Sequence, residues 1–398
     1  MKKLITLLLA VAGMVGTVSA TTIYVQNNCS WADLMIHRMN GSNKTEWPGV
    51  KINTESAVTV VVDGVTYYEV DFGDCKSFLF DDNDKGHQTE DLSDANITDG
   101  HYYSFLYKTA THSPEYYELH QDATATYTYN FTVTTSESWS GCKMTLWNSS
   151  NSSAITGFSF PGKEITGTDN VYTYTHKSFI SKLGVLFVNP IDGNPQTCDM
   201  TAEPGSNYYK IYGVATGSNQ GNAVKTNDYG YATAVSKGHI VMPTGIAYVA
   251  EDKGDWAKAY TVRCVPYDNG FLVKGDANTY YNFTYGTEVA LPCVNAFKKG
   301  SGSGVESGTG PYNYILNGNM FKAANGQNVA STKAYLQLTS QVPAGARALI
   351  FNDDEDVAGI TSAALSQAKE QVYDLQGRSV AQPTKGFYIV NGKKVIMK

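Results

Sequence analysis

Asp33-Leu34-Met35-Ile36-His37-Arg38-Met39, Trp47-Pro48-Gly49 and Val58-Thr59-Val60-Val61-Val62 are successive pieces of one stretch, Trp31 to Leu92, whose reading decides the fold. The first piece alternates and the third is β-branched, each at strand length, and Gly, Asn and Asp punctuate the chain between them. Tyr67-Tyr68-Glu69-Val70 and Ser77-Phe78-Leu79-Phe80 extend the series. A small antiparallel sandwich is predicted. Proline fixes its own φ and pushes the residue before it towards extended backbone, while glycine accepts positive φ. The Trp47 indole is therefore predicted at a strand-to-turn corner.

A planar aromatic at a sheet edge with an amide nearby, here Gln88, suits a sugar. The apolar face of a hexose lies on the ring, and an amide can donate to and accept from its hydroxyls. The competing reading is that Trp47 only covers the sandwich, as single exposed aromatics do.

The ordered string Trp31, His37, Met39, Trp47-Pro48-Gly49-Val50-Lys51-Ile52, Tyr67-Tyr68, Phe80, Gly86, Gln88-Thr89 and Asp91-Leu92 resembles carbohydrate-binding module family 26, the starch-binding domains. The resemblance covers most of residues 22–108. It implies a non-catalytic α-1,4-glucan binder in which Trp47 stacks on glucose, His37 lines the same face and Gln88 hydrogen-bonds hydroxyls. Met35 and Met39 stand where that family has aromatics. Methionine offers apolar contact without a flat face, so Met35 is a weaker candidate contact.

The same order returns after Thr124. Trp139 precedes Cys142 to Asn148 as Trp31 precedes Leu34 to Asn40, and Phe160-Pro161-Gly162 answers Trp47-Pro48-Gly49. Tyr172-Thr173-Tyr174, Val185 to Asn189 and Gln196-Thr197 answer Tyr67-Tyr68, Phe78 onward and Gln88-Thr89. Shared order of short signatures marks a duplicated module. Its candidate contacts are Trp147, Phe160 and Gln196, with Thr145 in place of His37. Either this copy binds more weakly, or it keeps the fold and has lost the site.

The fold expectation is all-β: tandem antiparallel β-sandwich modules, a third β-sandwich and a short C-terminal β tail. Residues 1–20, with Lys2-Lys3, an apolar run and Val18-Ser19-Ala20, read as a signal peptide. The sandwiches are placed at 21–108 and 125–213, with a polar linker at 109–124. A C-terminal β-sandwich is placed at 214–356, and a linker and tail at 357–398. The third unit resembles a β-sandwich of exported Bacteroidetes proteins through Gly230-Tyr231-Ala232-Thr233, Gly270 to Gly275 and Lys333 to Leu336. The tail, Val372 to Arg378 and Gly386 to Val395, is similar to a type IX secretion sorting signal; as plain structure it is a terminal hairpin.

These features place the protein outside the cell or on its surface, with no membrane-spanning run after the leader. A net charge of −7 argues against nucleic acid and acidic membranes as partners. Six cysteines fall two to each unit without metal spacing, so one disulfide per unit is expected, free buried thiols being the alternative. No catalytic motif is found: there is no Gly-x-Ser-x-Gly elbow and no His-Glu-x-x-His. The acidic clusters Asp81-Asp82-Asp84 and Asp353 to Asp356 lie in local loops rather than across a cleft. No cofactor and no metal site are expected. The rival function is a surface adhesin or structural protein that binds another glycan or a host protein.

Overall fold

The computed structural model describes residues 21–83, 86–108, 115–135, 139–213, 222–241, 243, 245–285, 287, 289–345, 348–351, 372–373, 386–390 and 393–397. Residues 1–20, read from sequence as a signal peptide, Asp84 and the acidic run at 353–356 lie outside these residues. Among the described residues the secondary structure is strand throughout, apart from one 3-10 turn at Asp94–Asn96. The all-β expectation holds.

The first module opens with β1 (Thr22–Gln26), β2 (Met35–Arg38), β3 (Val50–Lys51), β4 (Thr59–Val62) and β5 (Val65–Asp71). It continues with β6 (Ser77–Asp81), β7 (His87–Thr89), β8 (Leu92–Ser93), β9 (Tyr102–Tyr107) and β10 (Glu115–Ala123). The strands run β3-β2-β6-β7-β10-β9-β1-β5-β4, a single sheet folded over itself into a front layer up to β7 and a rear layer from β10. Ile23, Val25, Leu34, Ile36, Phe78, Phe80 and Phe105 fill the space between the layers. Because successive side chains alternate, Met35 and His37 fall on the outer front face. Residues 115–123, read from sequence as part of a linker, are the strand that closes the rear layer. β10 pairs β9 antiparallel and β7 in parallel.

The second module comprises β11 (Tyr127–Thr135), β12 (Cys142–Asn148), β13 (Lys163–Ile165) and β14 (Gly167–Thr168). β15 (Val171–Ser178), β16 (Leu183–Val188), β17 (Met200–Ala202) and β18 (Gly205–Ile211) follow. Its register repeats that of the first. Ile36 faces Phe80 and Met144 faces Phe187; the buried Thr89 and Thr197 hydroxyls accept the Phe80 and Phe187 N–H groups, both at 3.0 Å. Trp31 and Trp139 are both core residues. The modules are clasped by the β4–β5 turn. Asp63 Oδ1 lies 3.2 Å from His176 Nε2, its Oδ2 accepts the Phe179 N–H, and the Phe179 ring sits against Tyr67 and Tyr102.

The third unit has β19 (Asn222–Lys225), β20 (Tyr231–Val235), β21 (Ile240–Val241), β22 (Ala247–Asp252), β23 (Ala257–Val262) and β24 (Cys264–Val265). Next come β25 (Gly270–Lys274), β26 (Thr279–Tyr285), β27 (Phe297–Lys299), β28 (Gly304–Glu306) and β29 (Tyr312–Asn317). It ends with β30 (Met320–Ala323), β31 (Asn325–Asn328), β32 (Ala334–Leu338) and β33 (Leu349–Phe351). It is a three-layer stack rather than one two-layer sandwich. The central sheet β20-β25-β22-β23-β33 packs Phe271, Val249 and Val273 towards β26, and Leu272, Ala250 and Tyr248 towards the sheet β27-β32-β29-β30. Strands buried on both faces read as continuous apolar runs, and Ala-Tyr-Val-Ala and Phe-Leu-Val are such runs.

The boundary expected near residue 213 is crossed by hydrogen bonds. β26 pairs in parallel with β18, so the rear layer of the second module runs β14-β15-β11-β18-β26. In the first module β10 occupies that place. Besides β18·β26, parallel pairing occurs at β1·β9, β7·β10, β11·β18 and β23·β33, so the sheets are mixed rather than purely antiparallel. In the tail β34 (Val372–Tyr373), β35 (Gly386–Val390) and β36 (Lys393–Met397) form a three-stranded antiparallel sheet.

The disulfide expectation fails: all six cysteines are free thiols. Cys29 and Cys293 are half-buried against cores, Cys142 lies within one, and the other three thiols donate to a neighbour. Cys75 donates to the Ser77 carbonyl at 3.2 Å and Cys198 to Asn282 Oδ1 at 2.9 Å. Burial pushes the Cys29 thiol up to about 11 and that of Cys198 up to about 12, so the reactive thiolate is scarce at neutral pH. Alkylation of the denatured, unreduced protein should therefore modify all six cysteines, and dithiothreitol should leave the melting temperature unchanged. A mass increment short of six adducts would contradict the free-thiol assignment.

Candidate carbohydrate-binding site

The front face of the first module is organised by a backbone collision avoided. Trp47-Pro48 is a cis peptide and Gly49 follows at φ +114°. A Cβ on Gly49 would lie 2.2 Å from the Ile36 carbonyl oxygen on β2. Only glycine lets the turn press this close, and the pressed turn carries Trp47 back over the front strands. The indole is 45% exposed and meets His37 edge-on, ring centroids 5.4 Å apart. His37 Nδ1 lies 3.2 Å from Thr45 Oγ1, and the same oxygen accepts the Arg38 N–H. The histidine ring is thereby held beside the indole.

Gln88 lies elsewhere on the same face. The register places Met35, Asp81, Gln88 and Tyr116 in one row across β2, β6, β7 and β10, whereas His37 sits opposite Leu79. Two strand spacings and two residues separate Gln88 from His37, about 12 Å between backbones. Trp47 and His37 thus form one contact group, and Gln88 with Tyr116 a second. One sugar ring does not reach both; an oligosaccharide does. The Gln88 amide makes no hydrogen bond among the described residues. Met35 is 7% exposed and offers little surface to a ligand. Met39 is held by the Ser77 hydroxyl, which donates to its Sδ at 3.3 Å.

The second copy repeats the corner with a different ring. Phe160-Pro161 is cis, Gly162 has φ +98°, and a Cβ there would meet the Met144 carbonyl at 2.6 Å. Phe160 is 54% exposed. Thr145, in the place of His37, is buried with its hydroxyl unpartnered. Trp147 is half-buried, and its indole lies directly over Gly184: a Cβ there would be 2.0 Å from the ring. In the first module Ser77 takes the place of Gly184 and Met39 that of Trp147. The ring and the bare backbone under it therefore come as a pair. Gln196 bridges to Val188, as Gln88 does to Asp81.

Two residues were missed by sequence reasoning. Thr45 positions His37 from a loop with no distinguishing pattern, and Tyr116 lay hidden in the presumed linker. The carboxylates nearest the front face serve the loop that leads to β7. Asp81 Oδ1 accepts the Asn83 N–H at 2.8 Å, and Asp82 Oδ2 lies 2.6 Å from His87 Nδ1. Among the described residues no cluster of three or more His, Cys, Asp or Glu is placed to hold a metal ion.

No protein-family model matches the sequence, and no curated protein matches it. Among solved structures, one similar chain is a family CBM26 module of Eubacterium rectale Amy13K in complex with maltoheptaose. It is 17% identical over 49% of this chain and 92% of its own, with a TM-score of 0.19. Another is a multi-modular glycogen-degrading pneumococcal virulence factor, SpuA, 8% identical over 82% of this chain and 35% of its own, with a TM-score of 0.18. Overlaps this poor carry no weight for the site.

Two substitutions test the geometry. Gly49→Ala should destabilise the first module by about 3 kcal/mol, since positive φ and a backbone clash act together; urea unfolding measures it. Gly184→Ala should lift the Trp147 indole and shift tryptophan emission to longer wavelength. Unchanged emission would mean that the ring does not rest on that strand.

Proposed function

We propose that this chain binds carbohydrate polymers without cleaving them, α-1,4-glucan (starch or maltooligosaccharide) being the ligand to which the sequence resemblance points. One observation carries the reading. Trp47 and Phe160 are both exposed rings at equivalent corners of two copies, each on a glycine pressed against the front strand. A single exposed aromatic is ordinary; the same exposure reproduced in both copies indicates a surface kept for contact. An edge-on imidazole beside Trp47 and, about 12 Å away on the same face, the unengaged Gln88 amide supply the hydrogen bonds that successive units of a polyol chain need.

Non-catalytic binding is supported by the engagement of Asp81 and Asp82, which are 1% and 6% exposed. Two modules on one polymer would gain through effective concentration, without any new contact. The leader-like first residues fit work outside the cell or at its surface. A second reading, an adhesin for another glycan, is favoured by the burial of Met35 and the tethering of Met39. These leave Trp47 without the aromatics that the resemblance calls for at residues 35 and 39.

Calorimetric titration of maltoheptaose into the protein and into Trp47→Ala tests the assignment. Loss of one ring contact is worth about 2 kcal/mol, so affinity should fall roughly thirtyfold. Equal affinity in both proteins would remove Trp47 from the site. Soluble starch incubated with the protein should release no reducing ends. A glycan array that answers to mucin sugars and not to starch would favour the adhesin.

A further inference from the structure

The shared strand β26 creates a feature that neither module has alone. On β11 and β18 the core takes Phe131, Val133, Tyr209 and Ile211, so Thr132, Thr134, Tyr208 and Lys210 face outward at the rear. The register carries this face onto β26, with Tyr208 opposite Thr279 and Lys210 opposite Tyr281. There it stops being surface, because Tyr281 is in the core of the third unit. The third unit therefore rises as a wall along one side of an otherwise open sheet. At its foot lies a groove of about 310 Å³, lined by Thr132, Thr134, Tyr208, Lys210, Asp276 and Thr279.

Its chemistry is specific. Tyr208 is 44% exposed and supplies a ring. The hydroxyls of Thr132, Thr134 and Tyr208 have no hydrogen-bond partner among the described residues. Lys210 Nζ is 2.5 Å from Asp276 Oδ2, a pair joining the second module to the third unit. The groove thus carries donors and acceptors of both signs but no net charge. An anion would have to displace Asp276 and a cation Lys210, whereas a neutral polyol can bond to both without separating them. The volume is at the lower end for small-ligand sites, which run from about 300 Å³ upward. That fits a short segment rather than a long chain.

We propose that this rear groove is a separate binding site for a neutral oligosaccharide, with Tyr208 stacking on one sugar ring and Thr132, Thr134 and the Lys210–Asp276 pair reading its hydroxyls. The proposal does not depend on the front face. A protein carrying Trp47→Ala, Trp147→Ala and Phe160→Ala silences the front, and it can be titrated with maltoheptaose, cellohexaose, xylohexaose and laminarihexaose. At least one should still bind. Adding Tyr208→Ala should then weaken that binding at least tenfold, and Thr132→Val, which keeps the side-chain shape, severalfold.

Melting temperatures accompany each protein; if Tyr208→Ala unfolds, Thr132→Val alone decides. No binding by any of the four sugars to the front-silenced protein overturns the proposal. So does binding indifferent to both rear substitutions. Failure of the front assignment is read separately, from Trp47→Ala in the otherwise unaltered chain.

Discussion

The carbonyl oxygen of Ile36 occupies the space into which any side chain on residue 49 would project, and the Met144 carbonyl does the same to residue 162. This close approach of turn to strand shapes the whole front face. It draws the corner inward, sets the preceding aromatic over the outer side of β2 or β12, and leaves that ring half in solvent. What differs between the copies is decorative by comparison: indole or phenyl at the corner, imidazole or hydroxyl beside it, methionine over serine or tryptophan over glycine. The last pair shows how packing limits chemistry. A large flat ring at that point requires bare backbone beneath it, so the first module, with Ser77, is suited to Met39 rather than to a tryptophan.

Much of this was legible in the sequence because the decisive residues act locally. Proline and glycine announce the corner, β-branched alternation announces the strands, and the repeated order of short signatures announces the duplication. The buried hydroxyls of Thr89 and Thr197, each bonded to the backbone of the facing strand, explain why the Gln-Thr signature recurs. The exposure of Trp47 also follows from local rules, whereas its nearness to His37 was implied only by the family resemblance. The separation of Gln88 from that pair follows from neither, because it depends on cross-strand register.

The parts that were not legible are long-range. Glu115–Ala123 is polar and charged, and it becomes strand only because β9 and β7 offer edges on either side of it. Strands such as Ala247–Asp252 show no alternation because both faces are covered, and a sequence cannot say by what. The cysteines were equally opaque. An even number of cysteines behind a leader-like start favours disulfides in a sequence reading, yet pairing is a matter of geometry, and here the thiols are taken up by cores and carbonyl partners.

The loan of β26 to the second module has a consequence for how such a protein can change over generations. A unit that owns all its strands can be copied, lost or moved between genes as a self-sufficient block. The second module cannot, since a copy ending at Ile211 would leave β18 with an open row of amides and carbonyls ready to capture another chain. Recombination that respects folding would have to carry it together with the three-layer stack, whereas the first module, closed by its own β10, is joined chiefly by the Asp63 clasp. Copy number in this lineage is thus expected to vary at the amino-terminal side.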